Sequence, residues 1–203
     1  MDTKGIEKVW AVIPAYNEES KIAVIIKKTR KHIDKVVVVD DGSKDKTKLI
    51  SNKEGAIVLW HVINLGKGAA LKTGCDFAID NGAEFLVVID ADAQHKPEDI
   101  PRFLEMLKDY DIVFSYRKLN RNMPIILRFG NWFISKATGV LYGINLKDTQ
   151  SGFRAFSASA YRKIRWSSTD YSMESEMISR AGMQRLKYAQ IPIETIYSDK
   201  YKG

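Results

Sequence analysis

The sequence predicts an α/β domain built on a mainly parallel sheet with helices on its faces. Short apolar runs alternate with segments of helical periodicity throughout residues 8–116, which is typical of βαβ units. The run Val36–Val39 is entirely β-branched, and such a run indicates a strand buried on both faces. At 203 residues, 45% of them hydrophobic, the chain suits a single domain with a full core.

A cluster of acids follows the run Leu86–Ile89, which also reads as a buried strand. Asp90 and Asp92 stand one residue apart, and Gln94 comes two residues later. Hard oxygen donors at this spacing suit a Mg²⁺ or Mn²⁺ ion that also binds substrate phosphates. The alternative is structural: Asp90 begins a turn and Asp92 caps the next helix.

Two further strands run into polar residues. Pro14–Ser20 follows the apolar run that ends at Ile13, and Asp40–Ser43 follows Val36–Val39. The carboxyl ends of parallel strands share one sheet edge, so we expect these clusters and Asp90–Gln94 to converge there. Acids at 18 and 19 also suit the start of a helix, which is the structural alternative for that pair.

Gly66 and Gly68 bracket Lys67 just before a predicted helix that runs to about Asn81. This arrangement is similar to phosphate-binding helix N-termini. It lacks the four-residue spacing of the Walker pattern, so alone it is a weak signal.

Charge is distributed unevenly along the chain. Residues 1–116 hold 17 Lys and Arg against 19 Asp and Glu, a net −2, whereas residues 117–203 hold 15 against 6, a net +9. The asymmetry predicts that the second half faces an anionic partner such as phosphate groups, a lipid surface or nucleic acid. A helix after Pro124 carries a wide apolar face beside basic residues. It either packs on the sheet or lies at a membrane interface.

The single Cys75 favours a reducing compartment. The N-terminus has no signal-peptide pattern, and no apolar run is long enough to span a membrane. We therefore expect a cytoplasmic protein, peripheral on the cytoplasmic face of a membrane.

Five motifs occur in one order: Val12–Glu18, Val39–Ser43, Asn64–Gly68, Asp90–His95 and Ser151–Arg154. In that order the chain resembles family 2 glycosyltransferases of the GT-A fold, and most of all the group of dolichol-phosphate mannose synthases and polyprenyl-phosphate glycosyltransferases. The closing segment Gln190–Tyr197 matches as well, so the resemblance covers nearly the whole chain. It implies a single GT-A domain over 1–203. Residues 1–116 would bind the nucleotide sugar, and residues 117–203, with their basic tail, would bind the acceptor.

The resemblance also implies roles for individual residues. The donor sugar nucleotide would be bound by Pro14, Ala15, Tyr16, Glu18, Asp41, Lys67, Asp90, Ala91, Asp92 and Arg117. The Mg²⁺ or Mn²⁺ would be bound by Asp90, Asp92 and Gln94. The acceptor phosphate would be contacted by Arg117, Arg128, Lys200 and Lys202.

The implied reaction is an inverting transfer from GDP-mannose or a UDP-sugar to a polyprenyl or dolichyl phosphate, with Asp92, Asp148 and Glu176 as the catalytic candidates. Asp148 matches an acid proposed as base in similar enzymes, and Glu176 is a second candidate. A phosphate acceptor with a second pKa near 6 is largely dianionic at pH 7 and needs no base. Asp148 would then orient groups or balance charge, whereas a hydroxyl acceptor would need a true base.

Many relatives carry transmembrane helices after this domain, whereas this sequence stops at Gly203. We expect docking on an anionic membrane surface, a separate membrane-anchor subunit, or a membrane part that has been removed. The alternative functions are a same-fold enzyme with a hydroxyl acceptor in polysaccharide or cell-envelope synthesis, a nucleotidyltransferase, and a basic nucleic-acid-binding module. The last is disfavoured because no Arg/Lys-aromatic motif for stacking on RNA is present.

Overall fold

The computed structural model describes residues 8–117, 142–149 and 151–194. Seven strands and six α-helices lie within these ranges, and a 3₁₀ turn at Pro97–Asp99 precedes α4. In chain order they are β1 Val9–Ala15, α1 Ile22–Thr29, β2 Lys35–Asp40, α2 Thr47–Lys53, β3 Ile57–Trp60, α3 Lys67–Asp80, β4 Phe85–Val88, α4 Ile100–Met106, β5 Ile112–Arg117, β6 Arg154–Ser157, α5 Ala158–Ile164, α6 Ser172–Met183 and β7 Tyr188–Ile193.

The seven strands form one sheet in the order β3-β2-β1-β4-β6-β5-β7. Neighbouring strands are parallel except at β6, which pairs antiparallel with both β4 and β5. The prediction of a mainly parallel sheet flanked by helices is confirmed. In this order the carboxyl ends of β2, β1 and β4 lie side by side at one edge.

Both faces of the sheet are buried, as the β-branched runs predict. Side chains of β2 alternate between two cores: Val37 and Val39 pack on one face, and Val36 and Val38 on the other. This is the period of two that a strand imposes. The first core includes residues of α3, α5 and α6, and the second includes residues of α1 and α4.

Helix α3 packs closely against the sheet beneath the acidic strand ends. A Cβ at Gly74 would lie 2.5 Å from Val12 Cγ1 and 2.9 Å from Val39 Cγ2. Because neither valine has space to move aside, only glycine allows this approach. The contact sets how closely the middle of α3 packs on β1 and β2.

Two features of the second half were not predicted. Strand β6 inserts between β4 and β5, so those two parallel strands are not neighbours. Helix α5 begins directly after β6, where Ser157 Oγ accepts a hydrogen bond from Ala160 N as its N-cap. The helix after Pro124 lies outside the described residues. Within the ranges that are described, no helix is both long and apolar enough to cross a bilayer.

Candidate active site

A cleft of about 440 Å³ opens at the carboxyl edge of β1, β2 and β4. Nine of the ten residues expected to bind the nucleotide sugar line it, and Arg117 is the exception. Those nine are Pro14, Ala15, Tyr16, Glu18, Asp41, Lys67, Asp90, Ala91 and Asp92. Asn64 and Gly66, which belong to the Asn64–Gly68 motif, and Ala70 and Tyr171, which were not expected at the site, also line the cleft. The three polar clusters therefore converge as expected, while their binding roles stay predictions.

Asp41 organises the loop between β3 and α3. Its carboxylate accepts hydrogen bonds from Leu65 N at 3.0 Å and Gly66 N at 2.8 Å, and it lies 2.6 Å from His61 Nδ1. The residue is almost fully buried. A buried carboxylate is costly unless its oxygens are hydrogen-bonded, so these contacts fix Asp41 in the wall of the cleft.

Asp90 is one end of a chain of alternating charges. Lys67 Nζ lies 2.9 Å from Asp90 Oδ1, 3.1 Å from Oδ2 and 3.2 Å from Glu174 Oε1. Arg154 continues the chain, with its NH2 nitrogen 3.8 Å from Glu174 Oε2. Opposite charges alternate along the chain, which offsets the cost of removing four charged groups from water.

The pKa values of Asp90 and Lys67 reflect their pairing. Burial alone would raise the pKa of Asp90, but Lys67 and His95 beside it hold that pKa below its usual value. Burial alone would lower the pKa of Lys67, yet Asp90 and Glu174 raise it. Both residues are therefore ionised at neutral pH.

Asp92 begins a tight turn rather than capping a helix. Its Oδ1 accepts a hydrogen bond from Gln94 N at 2.9 Å, and Ala93 between them adopts φ +59°. α4 starts only at Ile100, after the 3₁₀ turn. The helix-cap alternative for Asp92 is therefore wrong, and the turn leaves its carboxylate in the cleft.

The donor set at this edge fits a divalent cation that also binds phosphate. Asp90 and Asp92 both line the cleft, and the buried Asp90 Oδ1 has the Lys67 ammonium 2.9 Å away but no hydrogen bond of normal geometry. Mg²⁺ typically takes one or two carboxylates and completes its shell with water and phosphate oxygens. In the described ranges, no three His, Cys, Asp or Glu side chains converge as a cation cage. Gln94, the third expected ligand, is not among the residues that line the cleft.

Glycines determine how closely other segments approach the charged residues. A Cβ on Gly152 would lie 2.2 Å from Asp90 Oδ2. A Cβ on Gly66 would lie 2.4 Å from Thr169 O, and one on Gly68 would lie 2.6 Å from Ser168 O. The glycines around Lys67 thus allow a loop that precedes α6 to pack on the start of α3.

Two backbone amides near Lys67 form hydrogen bonds within the protein, which argues against a phosphate cradle built from them. Gly66 N donates to Asp41 and Ala69 N donates to Thr169 O, so neither amide points to a ligand. The cation that this segment contributes to the cleft is the Lys67 side chain.

Glu18 and Glu19 precede α1, which begins at Ile22. Glu18 lines the cleft, whereas Glu19 Oε2 accepts a hydrogen bond from Lys46 N at 3.0 Å. Both acids stand at the entry to the helix, because Ile22 N donates to Glu18 O at 2.9 Å. The helix-start interpretation therefore agrees with their position, and Glu18 lines the cleft as well.

Arg117 and Asp148 form a bidentate pair at the end of β5. Arg117 Nε and NH2 lie 2.7 Å and 3.1 Å from the two oxygens of Asp148. Such a fork fixes both the position and the plane of the guanidinium. Asp148 is buried, and neither residue is among those that line the cleft.

Glu176 of α6 contacts the loop that precedes this helix, and it is not among the residues that line the cleft. Its carboxylate accepts hydrogen bonds from Ser167 N, Ser168 N and Ser168 Oγ, at 2.7–3.0 Å, and Arg180 lies 2.6 Å away. These contacts indicate that Glu176 holds the loop before α6 in place. Its expected catalytic role stays a prediction that this geometry does not favour.

Glu174 is the residue of α6 that reaches the charged chain, and the sequence did contain a signal for it. Glu174 lies at helical spacing with Met177, Ile178 and Ala181, all of which are buried. An acid on the apolar stripe of a helix is a group that needs a buried partner. Arg128, Lys200 and Lys202 lie outside the described residues.

The fold belongs to the GT-A glycosyltransferases. Glucosyl-3-phosphoglycerate synthase from Mycobacterium tuberculosis superposes with a TM-score of 0.74 at 22% identity, covering 98% of this chain and 74% of that one. Another structure of that synthase, in complex with Mn²⁺, UDP and glucosyl-3-phosphoglycerate, has a TM-score of 0.71 at 20% identity, with coverages of 98% and 74%.

The family follows from the sequence match. Residues 10–165 match the family described as "Glycosyl transferase family 2", and the chain belongs to that family. An uncharacterized protein of Methanocaldococcus jannaschii is 38% identical, covering 95% of this chain and 83% of that protein. The UDP-N-acetylglucosamine–dolichyl-phosphate N-acetylglucosaminyltransferase of Methanococcus voltae is 33% identical, with coverages of 94% and 86%. The undecaprenyl-phosphate mannosyltransferase of Micrococcus luteus is 28% identical, with coverages of 92% and 82%.

The structural role of Glu176 makes a prediction about pH. Burial alone would raise the pKa of Glu176. Hydrogen bonds from Ser168 and Ser167 and the charge of Arg180 outweigh burial, and together they lower the pKa from 4.5 to about 2. Because the folded-state pKa is depressed, this stabilisation is fully present above about pH 4.5 and is lost as the pH falls towards 2. Glu176→Gln should therefore unfold at lower urea concentration than the wild type at pH 7, and this difference should shrink at pH 3.

The control is Glu105→Gln, which removes an exposed acid paired with Lys108 and should change the urea midpoint little at either pH. Wild-type stability in Glu176→Gln at pH 7 would contradict the structural role.

Proposed function

We propose that this family 2 glycosyltransferase moves a sugar from a nucleoside-diphosphate sugar to the phosphate of a polyprenyl phosphate. The observation that carries the proposal is the cleft in which Asp41, Lys67, Asp90 and Asp92 converge at the carboxyl edge of the sheet. A nucleoside diphosphate presents a base and sugar at one end and two phosphates at the other. The cleft offers a carboxylate held by hydrogen bonds, Asp41, and a cation with two acids, Lys67 with Asp90 and Asp92.

The charges in the cleft suit departure of the diphosphate. Negative charge develops on the leaving nucleoside diphosphate as the bond to the anomeric carbon breaks. The Lys67 ammonium, held by two acids in a partly buried position, can neutralise part of that charge. A Mg²⁺ or Mn²⁺ bound by Asp90 and Asp92 would supply Lewis-acid stabilisation of the same group.

Arg117 suits the acceptor phosphate. It ends β5 at the carboxyl end of that strand, and Asp148 fixes its guanidinium through two contacts. A planar guanidinium is well matched to phosphate oxygens. In this arrangement Asp148 positions Arg117, and the acceptor needs no base because its phosphate is already largely dianionic at pH 7.

The names of the relatives support a lipid-phosphate acceptor. The two named relatives above act on dolichyl phosphate and undecaprenyl phosphate, and a polyprenol monophosphomannose synthase of Mycolicibacterium smegmatis is 26% identical, covering 92% of this chain and 77% of that protein. Their donors differ, since one name specifies UDP-N-acetylglucosamine and two specify mannose. We therefore propose a polyprenyl phosphate as the acceptor class, and a transfer assay identifies the donor.

The test is a transfer assay with matched acceptors. UDP-N-acetylglucosamine, UDP-glucose and GDP-mannose are each offered with a polyprenyl phosphate and, in parallel, with the corresponding polyprenol. We expect one donor to give a glycosylated polyprenyl phosphate and no donor to glycosylate the alcohol, because the alcohol lacks the ionised oxygen. Transfer to the polyprenol at a similar rate, or no transfer from any nucleotide sugar, would contradict the proposal.

Metal dependence should reside in Asp92. Asp92→Asn removes one charge with little change in volume, so we expect kcat/KM to fall by at least roughly 100-fold, corresponding to about 2.7 kcal/mol. Asp99→Asn is the matched control, because Asp99 pairs with Arg102 outside the cleft. Full activity of Asp92→Asn in excess EDTA would remove this residue from the mechanism.

A further inference from the structure

The Lys67 ammonium lies against the Asp90 carboxylate, one of the two acids expected to bind the metal ion. It lies within 3.1 Å of both carboxylate oxygens, and only 17% of the lysine side chain is exposed. A second acid, Glu174, is 3.2 Å away on α6. The lysine thus has two acidic partners, only one of which belongs to the expected metal site.

We propose that Lys67 is an internal counter-ion that masks Asp90 until a nucleoside diphosphate binds, and that Glu174 is the positioning residue that keeps the displaced ammonium beside the diphosphate. The inference rests on the proposed function, because it takes the diphosphate and the divalent cation as ligands of this cleft. It adds that the two ligands bind cooperatively and that the coupling passes through Lys67.

The physical basis is competition for one carboxylate. An ammonium that contacts both oxygens of Asp90 repels a divalent cation that approaches the same carboxylate, and it occupies oxygens that the cation would use. A metal ion arriving alone must therefore displace Lys67 from a partner that it neutralises. A diphosphate offers the ammonium new oxygens, so Lys67 can leave Asp90 without losing its charge compensation. Each ligand then favours the other, and the coupling is reciprocal.

Glu174 suits the role of a fixed anchor. It is 8% exposed, and its other neighbour, Arg154, is 3% exposed. Arg154 donates to Ser151 O and Thr149 O, both at 3.0 Å, and to Met177 Sδ at 3.4 Å. Two backbone carbonyls hold Arg154 in place, and Arg154 in turn pairs with Glu174. Glu174 therefore keeps its position when the Lys67 ammonium moves away from Asp90. The flexible lysine stem can reorient around that anchor.

The contacts of Tyr171 fit the same movement. Its ring lines the cleft, is 73% exposed and lies 5.7 Å from Lys67 Nζ. A ring face attracts a cation weakly at an exposed site. Glu174 and Tyr171 therefore both keep the ammonium on the α6 side of the cleft after it leaves Asp90.

The experiment measures Mn²⁺ binding to the purified full chain by electron paramagnetic resonance, first without nucleotide and then with saturating UDP or GDP. For the wild type we expect weak binding of Mn²⁺ alone and tighter binding with whichever nucleotide the cleft accepts. Lys67→Gln should bind Mn²⁺ alone at least about 5-fold more tightly than the wild type, and the gain on adding nucleotide should shrink. Lys72→Gln, which removes a lysine elsewhere on α3, should behave as the wild type.

Glu174→Gln is the second variant. Without the anchor, Lys67 rests on Asp90 alone, so Mn²⁺ alone should bind no more tightly than in the wild type. The increase in Mn²⁺ affinity on adding nucleotide should be smaller than in the wild type. Thermal unfolding checks that each variant is folded. A gain in affinity for Mn²⁺ alone in Lys67→Gln and no gain in Glu174→Gln distinguish specific roles of these residues from general damage to the site.

The outcomes separate this inference from the proposed function. If the wild type binds a nucleotide but Lys67→Gln gains no affinity for Mn²⁺ alone, the masking role is overturned and the proposed function stands. If Lys67→Gln is unfolded, unchanged coupling in Glu174→Gln overturns the inference. If the wild type binds neither nucleotide, the proposed function and the coupling both fail.

Discussion

The structure around the cleft depends on neutralising the carboxylate of Asp90, which lies at the end of a buried strand. Asp90 follows β4, with buried strands on either side. Lys67 reaches it from α3, and Arg154 of β6 contributes through the field of its positive charge. Glu174 of α6 then joins the two cations. One carboxylate thus ties together the helix that follows β3, the inserted antiparallel strand and the last helix.

That constraint explains why the short motifs stand where they do. Gly152 precedes β6 because Asp90 lies where a side chain would be, and Arg154 two residues later supplies a cation to the same network. Gly66 and Gly68 flank Lys67 because the loop before α6 packs on them. Glu176 and its hydrogen bonds hold that loop in place. Motifs that look independent in the sequence are therefore parts of a single packed unit around the cleft.

Much of the fold could be predicted from local pattern. The β-branched runs and their spacing predict the parallel strands, and the rule that parallel strands share a carboxyl edge brings Asp41, Asp90 and Asp92 together. The insertion of β6 could not be predicted in this way, because strand order depends on packing between distant segments. Tyr171 was missed for the same reason: it enters the cleft through a loop about 80 residues away from Asp90 along the chain. Glu174 was within reach of prediction, because it is an acid on an apolar helical stripe.

The central claim is that the cleft binds a nucleoside diphosphate together with a divalent cation at Asp90 and Asp92. The most direct test is a crystal structure of the chain with Mn²⁺ and UDP or GDP, read by the anomalous signal of manganese. We predict one peak within coordination distance of an Asp92 oxygen and the diphosphate, with the nucleoside lying towards Asp41. A nucleotide bound elsewhere, or a manganese peak away from both aspartates, would contradict the account.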